Sequence, residues 1–106
     1  HMNYACTDSS RNRFHRLLES KEWQEDNGAH FLNKVLDQLR EPVTEIYANY
    51  LDDRRRCKTD DDDNREYYTR LINETEPIYQ GVKFAGKRRQ KLFTSLRNEI
   101  RSVAAV

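Results

Sequence analysis

The apolar positions of this chain recur at steps of three and four along most of its length, which is the period of an amphipathic helix. The longest such run is Phe31, Leu32, Val35, Leu36, Leu39, Val43, Ile46, Tyr47, Tyr50 and Leu51. Thirty residues of helix make a rod of about 45 Å at 1.5 Å per residue. Before it, Asp8, Ser9 and Ser10 offer N-caps for a shorter helix carrying Phe14, Leu17, Leu18 and Trp23, and Asn27-Gly28 separates the two. After it the period resumes with Tyr67, Tyr68, Leu71, Ile72, Ile78, Tyr79 and Val82, then Leu92, Phe93, Leu96, Ile100 and Val103. Glycine and proline are scarce, at three and two, and β-branched runs are absent. The pattern predicts an all-α protein: a short N-terminal helix followed by a long antiparallel helical hairpin.

The bend is punctuated by charge. Arg54, Arg55, Arg56 and Lys58 collect where one helix would end, and Asp60 to Asp63 where the next would begin. Both placements suit the helix macrodipole, so the hairpin turn is expected near 54–64. A calcium loop starting at Asp60 would need glycine at its sixth position and an acid at its twelfth, where Arg65 and Leu71 stand. Pro42 and Pro77 fall inside the two apolar runs and are expected to kink those helices without ending them. Folding the chain back at about Thr59 brings Pro42 and Pro77 to nearly equal heights and Trp23 near Leu96. There Trp23 would close the open end against Phe93, Leu96 and Ile100. Either Gly81 or Gly86 would disturb this register by ending a helix early. The residues expected to carry the architecture are Trp23, Phe31, Leu39, Val43, Ile46, Tyr50, Tyr68, Leu71, Ile78 and Leu96.

Composition sharpens the picture. Hydrophobic residues make up 36% of the 106 and charged residues 35%, a thin core for a monomer, so an elongated helical form or a homodimer is expected. Nineteen Lys and Arg against eighteen Asp and Glu leave net charge silent about nucleic acid. No run approaches the roughly 20 apolar residues of a membrane span. His1-Met2 have the look of a tag remnant, and residues 3–106 read as one helical domain. Cys6 and Cys57 lack any CxxC partner and are expected to be free thiols of a reducing cytosol. Asn73-Glu74-Thr75 fits a glycosylation acceptor, expected to be fortuitous.

Chemistry-bearing motifs are few. His15 and His30 have no companions at zinc spacing, and no nucleophile elbow, phosphate-cradling loop or HExxH occurs, so neither an enzyme nor a cofactor or metal site is expected. Two basic runs would serve phosphate contacts in a nucleic-acid-binding alternative: Arg54, Arg55 and Arg56, and, around Phe84, Lys83, Lys87, Arg88, Arg89 and Lys91. Trp23, followed eight residues on by Phe31 with Gly28 and Ala29 between, resembles the WXG100 (ESAT-6-like) superfamily of small helical-hairpin proteins. Glu25 stands where the family's W-x-G glycine falls, and Tyr79 is followed four residues on by Lys83 in place of the acid of the family's C-terminal signal. The resemblance implies a homo- or heterodimeric four-helix assembly. It also implies a secreted substrate or adaptor of a specialised bacterial secretion system. Location would be cytoplasmic, or secreted without a cleaved signal peptide.

Overall fold

A computed structural model describes the backbone of residues 2–105 and the side chains of residues 9–105. Cys6 and both side chains of His1-Met2 therefore lie outside the described side chains. Five helices follow in order: α1 (Met2–Glu19), α2 (Lys21–Asp26), α3 (Ala29–Arg56), α4 (Asp62–Lys83) and α5 (Lys87–Ala105), with no strand among the described residues. No helix is long and apolar enough to cross a membrane.

Three boundaries differ from the sequence pattern. The backbone is already helical through Asp8–Ser10, where caps were expected. Trp23 does not sit on the first helix but on the six-residue α2. Ser20 makes the break: its backbone is extended, and its hydroxyl accepts from the Trp23 N–H at 3.3 Å while donating to the Leu17 carbonyl at 2.6 Å. A serine that satisfies the first turn of a new helix ends the old one.

The second arm of the expected hairpin is likewise two helices. Phe84 turns extended as the C-cap of α4, its N–H donating to the Gln80 carbonyl at 3.0 Å, and Gly86 takes a positive φ of 86° before α5 begins. The two glycines of this region thus have opposite uses. Gly86 supplies a left-handed turn, whereas Gly81 stays helical because its missing side chain admits Leu92, whose Cβ would lie 2.7 Å from any Cβ added there. Both prolines are accommodated inside continuous helices, Pro42 in α3 and Pro77 in α4.

Two compact units divide the chain. In the first, residues 1–35 and 93–106, the buried apolar side chains are Trp23, Leu32, Phe93, Ile100 and Ala104. Asn27, in the left-handed region at φ 57°, caps α2, and the Gly28 N–H donates to the Trp23 carbonyl at 2.8 Å. The indole lies over Gly28 and is tilted 59° to the Phe31 ring at 6.0 Å. From α5, the Arg97 Nε donates to the Asn27 carbonyl and the Arg101 Nη2 to its side-chain oxygen, each at 2.7 Å. Leu96, the expected neighbour of Trp23, is half-buried one residue before Arg97.

In the second unit, residues 36–92, Leu36, Ile72, Val82 and Leu92 are buried. Asp61 caps α4, accepting from the Asn64 backbone N–H at 3.4 Å and from its Nδ2 at 2.7 Å. At least this one of the four aspartates therefore serves the helix start.

Candidate interaction surface

Within the second unit, the Tyr47 ring of α3 stacks on the Tyr79 ring of α4, with centroids 4.3 Å apart and planes 13° from parallel. Burial, with the Glu76 carboxylate and Tyr79 adding to it, raises the Tyr47 phenol above its ordinary value. The Tyr68 phenol is also raised, chiefly by the negative charge of Asp53. A raised phenol pKa stabilises the fold below the ordinary value of about 10, and that contribution is lost as pH climbs through the raised value. Replacing Tyr47 by phenylalanine is therefore expected to reduce the alkaline loss of stability. The check is to compare the fall in urea midpoint between about pH 8 and about pH 11 in the two proteins. An equal fall in both would refute the assignment.

Three side chains expected to carry the architecture, Leu39, Ile46 and Ile78, lie exposed, and Tyr67 joins them. Leu39 and Ile46 on α3 are 41% and 44% exposed, and Tyr67 and Ile78 on α4 are 46% and 42% exposed. Val43, Tyr50, Tyr68 and Leu71 are half-buried. The positions are regular. Leu39 and Ile46 stand eight and one residues before Tyr47; Leu71 and Ile78 stand eight and one residues before Tyr79. At about 100° per residue, each pair lies some 80–100° to the same side of its stacked tyrosine. On α3 the opposite flank is polar, with an open groove lined by Arg40, Glu41, Thr44, Glu45, Ala48 and Lys83. Sequence periodicity counts Leu39 and Ile46 into the core because they belong to the same heptad-like series as Leu32, Leu36, Val43 and Tyr50. The series cannot say which side of the stripe the rest of the chain covers.

The two basic runs part company. Arg55 and Arg56 both pair with Asp52, the latter at 3.0 Å, and Arg54 is half-buried, so the first run is largely answered by its own helix. In the second run, Arg89 points inward. Its Nε donates to the Gly81 carbonyl at 2.9 Å, one Nη to the Val82 carbonyl at 2.8 Å, and the other to Asp37 at 3.2 Å. It thereby satisfies carbonyls at the end of α4, a use that no phosphate reading of the run anticipates. Lys83, Lys87, Arg88 and Lys91 stay exposed, and no carboxylate among the described residues forms an ion pair with them. Phe84 is 39% exposed, with the Arg88 guanidinium 4.7 Å and the Lys83 ammonium 5.8 Å from its ring centre.

The remaining site expectations fall as follows. Trp23, Gly28 and Phe31 meet in the first unit, where Phe93 is buried. Pro42 and Pro77 are exposed on α3 and α4. Cys57 is a half-buried free thiol whose Sγ lies 3.3 Å from the Asp53 carbonyl. No group of three or more His, Cys, Asp or Glu among the described residues is arranged to hold a metal ion. No protein-family model, curated protein or solved structure matches the chain.

Proposed function

We propose that this chain is a non-enzymatic protein–protein interaction module that docks on a partner through the apolar flank of α3 and α4. The observation that carries the proposal is the exposure of Leu39, Ile46, Tyr67 and Ile78, four large apolar side chains on two helices joined by stacked tyrosines. Two contacts support an antiparallel helical hairpin. Tyr47 meets Tyr79 and Asp37 meets Arg89, so ten residues back along α3 correspond to ten residues forward from Tyr79, past the end of α4 and into α5. In antiparallel helices, equal displacement from the stacked pair sets Leu39, Ile46, Leu71 and Ile78 on one side. Covering a side chain about 40% exposed returns roughly 0.6–1.2 kcal/mol of the 1.5–3 kcal/mol that full burial is worth. Several such side chains, ringed by polar residues, are what an association surface requires. The resemblance to WXG100 proteins, resting on Trp23, Gly28, Ala29 and Phe31, extends the proposal to an adaptor or secreted substrate of a specialised bacterial secretion system.

The test is the double variant I46E/I78E, held at submicromolar concentration. As a docking surface, these positions tolerate the charges, and the stability of the isolated chain changes by less than about 1 kcal/mol. A loss of several kcal/mol, the signature of a charge forced into a packed core, would instead make this flank internal and end the proposal.

A further inference from the structure

The cations that the docking flank does not use gather where α4 gives way to α5. Residues 77–92 hold five cations and no acid. Arg89 is committed inside the fold, and its hydrogen bonds to the Gly81 and Val82 carbonyls mask the negative end of the α4 dipole. Lys83, Lys87, Arg88 and Lys91 remain exposed. The last three fall within about 100° of arc on α5 and so share one face. No acid stands in the first turn of α5, although a helix N-terminus favours negative charge, so helix stability does not account for these cations. On α3, Asp37 pairs with Arg89 at 3.2 Å, and Glu41 and Glu45 share an open groove with Arg40 and Lys83. Those acids moderate Lys83 and leave the α5 face unanswered. Among the cations stands an exposed ring, Phe84, with the Arg88 guanidinium 4.7 Å and the Lys83 ammonium 5.8 Å from its centre. Lys83 donates to the Tyr79 hydroxyl at 2.8 Å, which leaves two of its three protons for a ligand. Two residues beyond Phe84, Gly86 has open space where a Cβ would stand.

We infer that this junction binds single-stranded nucleic acid without sequence preference, with phosphates on Lys83, Lys87, Arg88 and Lys91 and a base stacked at Phe84. The inference goes beyond the docking reading and uses other residues. A phosphodiester chain supplies anions at intervals, and every base carries the π face that an exposed aromatic ring can stack on. Arg88 serves both contacts, since a guanidinium pairs with phosphate and also stacks on flat rings. A duplex offers the phosphates but keeps its bases within the stack, where Phe84 cannot reach them. The first basic run takes no part: Arg55 and Arg56 pair with Asp52, and Arg54 is half-buried. An anionic membrane would attract the same cations, but the apolar residues near Phe84, Val82, Leu92 and Phe93, are buried and offer no anchor.

Fluorescence anisotropy of labelled oligothymidylate and oligouridylate, each about 15 nucleotides long, reads the binding across salt concentration. Both should bind alike, because the contacts are to phosphate and base face rather than to the 2′-hydroxyl. The logarithm of affinity should fall against the logarithm of salt with a slope of about −3, four phosphate contacts at about 0.7 each. K87Q/K91Q should cut that slope by about half. F84A should weaken binding about five- to a hundredfold and leave the slope unchanged. F84Y should keep the affinity, whereas F84L, apolar but without a π face, should lose it as F84A does. Circular dichroism should show all four variants as helical as the parent, since these side chains are exposed. The slope series decides independently of whether the Phe84 variants fold. An absence of binding at about 50 mM salt overturns the inference, and so does a slope that K87Q/K91Q leaves intact. F84L binding as tightly as the parent overturns it too. Tighter capture by duplex DNA, by polyglutamate of equal charge or by phosphatidylserine vesicles would likewise give the patch to another partner and end the proposal.

Discussion

Replacing Trp23 by alanine is expected to cost about 3–5 kcal/mol, the range for deleting a large aromatic from a packed interior. The indole is 3% exposed and lies against Gly28 and Phe31. Small domains commonly have about 5–15 kcal/mol in all, so the variant should melt far below the parent and lie close to unfolding at ambient temperature. Because Trp23 is the chain's only tryptophan, the measurement should follow helical circular dichroism in urea. A shift below about 0.5 kcal/mol, ordinary for a surface residue, would contradict the packing described for α2.

The second large effect is expected at Gly28. A Cβ there would stand 2.6 Å from the indole carbons, and the backbone φ of 83° disfavours any L side chain. Left-handed backbone costs about 1–2 kcal/mol and overpacking about 1–3 kcal/mol, so Gly28→Ala should lose about 2–5 kcal/mol. The two penalties separate in a double-mutant cycle. With Trp23 already alanine, the steric part disappears and the same glycine substitution should cost only the backbone part, about 1–2 kcal/mol. Strict additivity would mean that the ring and the glycine do not touch.

These two residues also show what the chain's sequence discloses. Asn27-Gly28 marks a helix end because only such residues adopt positive φ cheaply, and the structure uses both that way. The three-and-four spacing of apolar residues and the charged bend likewise anticipate α3, α4 and the turn between them. Ser20 escapes, because a serine inside a helical pattern looks the same whether it caps a new helix or faces solvent. The break at Phe84–Gly86 escapes for a related reason: Gly81 and Gly86 are equally able to end a helix, and only Leu92 in the folded chain decides that Gly81 does not. For the interaction surface, the sequence supplies apolar residues but not their covering. Leu36 and Ile46 belong to one helical series, yet one is 1% exposed and the other 44%. Arg89 illustrates the converse: a residue of a basic run withdrawn from the surface by three hydrogen bonds.

The six residues of α2 carry a consequence for how the chain acquires this structure. A helix so short cannot repay its own nucleation in water, where even favourable sequences need some 12–15 residues. Its two backbone terminations, at Ser20 and Asn27, cannot supply the deficit. The element therefore exists only while its single buried side chain is docked, and the two should appear and vanish in one step. Amide protection over Gln24 to Gly28 should accordingly rise and fall with the indole's fluorescence shift, which makes this segment a built-in reporter of when the first unit closes.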